Sequence, residues 1–262
     1  MPTSLPMYDL PELRDSTDAF WAAMAKAYGV GFTLIRSEDW TAPWRDPNLL
    51  FSQTCGYPFT HEYDGILTYV ATPHYTADGC VGPNYSSIIL ARSAASLENF
   101  RGKTAAFNNR DSMSGMLALQ LTFAPLAVNG VFFENAVETG GHFASLAAVQ
   151  QGRADICATD CVTIAYARRY RPAALDGLVE VARSPSVPGL PFVTRTGDVG
   201  KLRSALQKVM NDPSTDELRG RLLLTGLSVL PPGSYDIIPD KERDMHIRGG
   251  LKLWSREMGA TK

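Results

Sequence analysis

The residues of this chain best suited to chemistry are two hydroxyls, an imidazole and a carboxylate. Ser112 and Ser114 lie in the polar loop Asn108-Asn109-Arg110-Asp111-Ser112-Met113-Ser114-Gly115. Before the loop, Lys103-Thr104-Ala105-Ala106-Phe107 reads as a strand; after it, an apolar run through Leu117, Leu119 and Leu121 reads as a helix. A helix N-terminus offers unpaired N–H groups and the positive end of the helix dipole, which together attract an anion. Asn108, Ser112 and Ser114 would add neutral donors, and Gly115 would let a ligand approach the backbone. The same spacing also describes an ordinary helix cap built on Ser112 or Ser114. Spacing alone leaves both readings open.

Two further junctions repeat the theme. Thr139-Gly140-Gly141-His142 is a second strand-to-helix turn, and His142 there either donates to an oxyanion or is a surface histidine near a helix start. Asp160 follows the strand pattern Asp155-Ile156-Cys157-Ala158. A carboxylate in an anion site suits a ligand that also carries an amine or a protonated oxygen. Alternatively, Asp160 is the N-cap of the helix that follows. Ser112, His142 and Asp160 have the residue types of a hydrolytic triad, but a triad needs the serine within hydrogen-bond reach of the histidine. No GxSxG or HExxH motif accompanies them. We therefore assign no catalytic residues, no metal ligands and no cofactor, and expect serine and histidine to point at one bound group.

Something must bring these junctions together. Strand-like runs at Leu49–Ser52, Gly65–Thr72, Ser86–Leu90, Lys103–Phe107, Val131–Glu138, Asp155–Ala158 and Leu178–Ala182 alternate with helical patterns. The alternation predicts an α/β fold with mainly parallel sheets flanked by helices. Breaks near Ser93 and in the proline-rich stretch around Ser186 predict two lobes. Residues 1–92 and 187–262 would form the first, residues 93–186 would form an inserted second, and two crossings would serve as hinges. A last helix is expected from Lys241 to Trp254.

With 262 residues and 45% hydrophobic content, the chain is long enough for two cores. Its net charge is -2 and no run of Lys or Arg stands out, which argues against a nucleic-acid partner. An anion must then be held by local, oriented donors. No apolar stretch approaches the ~18 residues of a membrane span, so the chain is not expected to be membrane-embedded. The segment Met1-Pro2-Thr3-Ser4-Leu5-Pro6 has neither a basic nor an apolar leader region, which leaves a cytoplasmic protein or a trimmed periplasmic one. The four cysteines include no CxxC pair, which speaks against zinc. Cys55 and Cys80, both in turn-like surroundings, are read either as a disulfide or, with Cys157 and Cys161, as plain thiols.

The order of several short motifs resembles the phosphate/phosphonate-binding family of ABC-transporter solute-binding proteins. The matching stretches are Leu5-Pro6-Met7-Tyr8-Asp9, Leu49 to Pro58, Leu97 to Lys103, Asn108 to Gly115, Gly140-Gly141-His142 with Ser145, Gly152-Arg153-Ala154-Asp155 with Asp160, and Pro188-Gly189-Leu190-Pro191. The resemblance implies two α/β lobes of the type II periplasmic binding fold and a small anionic ligand in the cleft. It implies that Ser112, Ser114 and His142 bind a phosphonate or phosphate group, that Tyr8 and Tyr57 of the first lobe close over the ligand, and that Asp160 meets an amino group. The implied partner is an ABC permease. The chain departs from the family at Met113, which stands between the serines where a small or polar residue is usual. The function expected is capture of a small oxyanion (phosphonate, phosphate or phosphite-like), the alternative being a cytoplasmic enzyme or a sensor on the same fold.

Overall fold

The structure, a computed structural model, describes residues 1–253. It falls into two compact units, one of residues 1–85 and 187–236, the other of residues 86–186 and the segment from Ile237 onward.

The first stretch contains helix α1 (Arg14–Tyr28), the short helices α2 (Ala42–Arg45) and α3 (Gly56–Thr60), and strands β1 (Ser52–Gln53), β2 (Thr68–Tyr75), β3 (Cys80–Val81) and β4 (Asn84–Tyr85). Helix α1 forms because Phe20, Trp21, Met24, Ala25 and Tyr28 place one continuous apolar stripe on the core. It stops at Gly29, whose φ of 88° closes the last turn in a left-handed conformation. The second unit then runs through β5 (Ser87–Ala91), β6 (Thr104–Phe107), α4 (Ala118–Phe123), β7 (Asn135–Glu138), α5 (His142–Gln150), β8 (Ile156–Asp160), α6 (Cys161–Tyr170) and β9 (Val179–Arg183). On its return the chain gives the first unit β10 (Val187–Pro188), β11 (Phe192–Thr194), α7 (Val199–Asn211), α8 (Asp216–Arg221) and β12 (Leu224–Ser228). Helix α9 (Ile237–Ile247) belongs to the second unit.

The α/β class is as expected, but the strand directions need correcting. In the first unit the sheet order is β1-β11-β2-β12, and every neighbouring pair is antiparallel. A small second sheet, β10-β4-β3, is antiparallel as well. The βαβ rule orients strands joined by a crossover helix, whereas β11 arrives only after the inserted unit and lies between β1 and β2 against both. In the second unit the order is β7-β6-β8-β5-β9. Strand β6 is parallel to β7 and β8, and β5, which enters the unit, runs against β8 and β9.

The expected lobe limits were 92/93 and 186/187, with the C-terminal stretch kept in the first lobe. Strand β5 pairs with β8 and β9, so residues 87–91 lie in the second sheet. The C-terminal stretch is tied to the second unit by Gln120 Nε2, which donates to the Leu251 carbonyl at 2.8 Å, and by Lys252 N–H, which donates to the Gly130 carbonyl at 2.9 Å. The last helix begins at Ile237 and ends at Ile247, earlier than predicted at both ends; Trp254 lies outside the described residues.

Each unit has its own core. In the first, Trp21 stacks on Phe51 at 5.7 Å between ring centroids, and Phe51 meets Phe192 at 5.1 Å. Trp44, Leu49, Tyr63, Leu67 and Val193 form a neighbouring cluster. In the second, Phe123, Phe132 and Phe133 pack with centroids 4.9–5.0 Å apart. Burying one such side chain stabilises a fold by roughly 1.5–3 kcal/mol. The disulfide reading is set aside: Cys55 and Cys80 are both reduced thiols, Cys55 buried at the start of α3 and Cys80 half-buried on β3.

Candidate functional site

Strands β6, β7 and β8 are mutually parallel in direction, so their carboxyl ends share one edge of the sheet. Ligands of α/β sheets bind at such edges. The three junctions singled out in the sequence all start there: Asn108 follows β6, Thr139 follows β7 and Asp160 ends β8.

The first junction is stitched to the second by backbone. Thr139 N–H and Thr139 Oγ1 both donate to the Phe107 carbonyl, at 2.9 and 3.0 Å, and Gly140 N–H donates to the Asn108 carbonyl at 2.8 Å. Gly140 has a φ of 81°, which favours glycine and lets the chain reverse into α5. The Arg110 guanidinium, the cation of the loop, is paired with Glu138 on β7: its Nε donates to Oε2 at 3.0 Å. That pairing leaves neutral donors to carry the loop's positive potential.

The helix after Ser112 opens with a wide turn. Leu117 N–H donates to the Ser112 carbonyl at 3.0 Å, an i to i-5 bond, and residues Met113–Leu117 form a π turn before α4 begins. Turns of this kind recur at functional sites, because the extra residue re-aims side chains and backbone. Ser112 is the cap: its Oγ accepts from Gly115 N–H at 3.0 Å. Its hydroxyl proton stays available for donation. Gly115 does not open room for a ligand as expected. A Cβ built there would lie 1.9 Å from Asn108 Oδ1 and 2.9 Å from Asn108 Cγ, so glycine is required to seat the Asn108 side chain. Asn108 Oδ1 is buried there without a hydrogen-bond partner.

Ser114 and His142 meet. Ser114 Oγ lies 2.9 Å from His142 Nε2, and the serine is only 5% exposed. His142 is the first residue of α5, held at the end of β7 by Thr139, whose Oγ1 also lies 2.7 Å from Ser145 Oγ. Burial pushes the His142 imidazole below its ordinary value of 6.5, against the opposing pull of the Asp160 carboxylate. Asp160 Oδ2 is 3.4 Å from the same Nε2. Serine and carboxylate thus face one ring nitrogen. A Ser-His-Asp relay needs them on opposite nitrogens, so this geometry is not that of a catalytic triad.

Asp160 is the N-cap of α6: its Oδ1 accepts from Thr163 N–H at 2.8 Å and its Oδ2 from Thr163 Oγ1 at 2.5 Å. Both readings of Asp160 in the sequence left out Thr163. The Asp-x-x-Thr spacing at a strand-to-helix junction was the signal available.

The two tyrosines belong to the first unit. Tyr8 has a φ of 64°, a strained conformation for a non-glycine residue. Its ring meets the edge of Tyr75 at 5.5 Å, and Gln53 Nε2 donates to Tyr75 Oη at 3.0 Å. Tyr57, on α3, stacks on His61 at 3.8 Å between centroids. Among the described residues no group of three or more His, Cys, Asp or Glu side chains could hold a metal ion, and no helix is long and apolar enough to cross a membrane.

The architecture and the clustered strand ends define the class: a two-lobed α/β binding protein of the type II periplasmic fold. Solved structures share it. PhnD1 from Prochlorococcus marinus in complex with methylphosphonate superposes with a TM-score of 0.75 at 14% identity, covering 94% of this chain and 98% of that one. A binding protein component of an ABC phosphonate transporter from Pseudomonas aeruginosa gives 0.75 at 15% identity, covering 99% and 90%. A Xanthomonas citri protein bound to ATP gives 0.66 at 18% identity, covering 95% and 98%. No curated protein sequence matches the chain. The model of the phosphonate periplasmic substrate-binding proteins of ABC transporters matches residues 46–229, and the chain belongs to that family.

Proposed function

We propose that the chain captures a small phosphonate, phosphate or phosphite-like oxyanion in the periplasm and delivers it to an ABC permease. The observation that supports this most is the contact of Ser114 with His142 at one sheet edge, beside the opened turn of Met113–Leu117 that Ser112 caps. Ser112 keeps a proton to donate, and the Ser114–His142 pair, which shares one hydrogen bond, offers a second. Each hydrogen bond to a charged group contributes about 1.5–3 kcal/mol. Two such bonds and a helix end supply about 3–7 kcal/mol of the ~8 kcal/mol that micromolar binding requires. Asn108 and Gly115 shape the loop. The first neighbour's methylphosphonate fits the same chemistry.

A thermal-shift screen of phosphate, phosphite, methylphosphonate, sulfonates and carboxylates tests this reading. Stabilisation by a phosphorus oxyanion is expected, and no response to any of them refutes it. Turnover of a screened compound would move the chain to the enzyme class.

A further inference from the structure

Asp160 occupies the position where the family resemblance places a partner for a ligand amine. Its carboxylate is already engaged in this chain. Oδ1 accepts from Thr163 N–H at 2.8 Å, Oδ2 accepts from Thr163 Oγ1 at 2.5 Å, and Oδ2 also faces His142 Nε2 at 3.4 Å. The side chain is as buried as the two serines, so its engagement with the chain's own groups, and not its burial, sets it apart. An ammonium group needs carboxylate lone pairs that point at it and a path to reach them. Here three of the roughly four lone-pair sites are directed at the chain's own helix end and imidazole. An ammonium would compete at Oδ2 with Thr163 and His142, and at Oδ1 with the cap of α6.

We infer that Asp160 is a positioning residue, which fixes His142 and the start of α6 and does not touch the ligand, and that the site therefore takes phosphonates that lack an amino group. This rests on the proposed function and narrows its substrate class. The chemistry is self-consistent. A doubly charged phosphonate beside an exposed carboxylate would be repelled. Oδ2 faces the same Nε2 that meets Ser114 Oγ, so the carboxylate fixes the orientation of the ring and holds it against Ser114. Thr163 is the second part of the device, since it orients both carboxylate oxygens.

The test uses the full chain, its Asp160→Asn variant and an isosteric ligand pair, propylphosphonate and 2-aminoethylphosphonate. Asparagine caps helices as well as aspartate, so the variant keeps α6. Two readouts are taken: affinity for both ligands by calorimetry, and the His142 titration midpoint by NMR. In the wild type, propylphosphonate should bind at least as tightly as 2-aminoethylphosphonate. In Asp160→Asn both affinities should fall by a similar factor, and the His142 midpoint should move down because the neighbouring negative charge is gone. A wild-type preference for the amine of roughly tenfold or more, erased in Asp160→Asn, would overturn the inference. So would an unchanged His142 midpoint. If neither phosphonate nor phosphate binds, the proposed function fails and the ligand class with it, while the midpoint still decides whether Asp160 acts through His142.

Discussion

Gly115→Ala perturbs the loop through a single methyl. That Cβ would sit 1.9 Å from Asn108 Oδ1, 2.9 Å from Asn108 Cγ and 3.2 Å from Asn108 N. The first two contacts, both to the side chain, are far inside van der Waals range, and the third, to backbone, is the milder one. Asn108 must leave its rotamer, and its carbonyl is the group that holds Gly140 at 2.8 Å. Overpacking of this kind costs about 1–3 kcal/mol. In a chain of this size each kcal/mol lowers the thermal midpoint by roughly 2–4 °C. The cause can be isolated, because Asn108→Ala removes Oδ1 and leaves the backbone bond to Gly140. Urea unfolding of the wild type, both single variants and the double variant therefore forms a cycle, with Asn108→Ala expected to recover most of the loss in the Gly115→Ala background. A Gly115→Ala variant as stable as the wild type would refute the argument, and so would additive losses in the double variant.

Further outcomes follow from the same geometry. Ser114→Ala removes one donor and should weaken methylphosphonate binding by roughly 10- to 150-fold, the equivalent of one hydrogen bond to a charge; calorimetry reads it, and unchanged affinity excludes Ser114 from the site. Asp198 Oδ1 accepts from Lys201 N–H at 2.9 Å as the cap of α7, so Asp198→Ala should cost about 1 kcal/mol in urea unfolding with ligand affinity unaffected. His142 has a lowered value in the folded state, so the unfolded chain takes up the proton first. Its contribution to stability is complete above the unfolded value of about 6.5 and is lost as pH falls through the folded value. Unfolding measured across this range should show a steeper acid loss in the wild type than in His142→Gln; equal slopes would contradict the assignment. Denaturation without reductant should expose all four cysteines to a thiol reagent, and two missing thiols would restore the Cys55–Cys80 bridge.

Much of this architecture was legible in the residues. Strand β6, the following loop and the helix after Ser112 were readable because a short continuous apolar run gives way to a helical one at a polar junction. The convergence of Asn108, His142 and Asp160 followed from the βαβ alternation of β6, β7 and β8 alone. Strand direction elsewhere was not legible. Pairings such as Gln53 with Phe192 and Ile88 with Arg183 join residues far apart in sequence, and no local pattern encodes them. The role of Gly115 was misread for a similar reason. Its constraint comes from a side chain seven positions earlier, folded back on it. Thr163 was missed because the Asp-x-x-Thr spacing marks a cap without showing that the threonine hydroxyl turns back onto the second carboxylate oxygen.

The most direct test of the central claim is a crystal structure of the chain grown with methylphosphonate. Phosphonate oxygens are expected within hydrogen-bond distance of Ser112 Oγ, Ser114 Oγ and His142 Nε2, with the Asp160 carboxylate still on Thr163. A ligand bound elsewhere, or one whose oxygens avoid both serines, would contradict it.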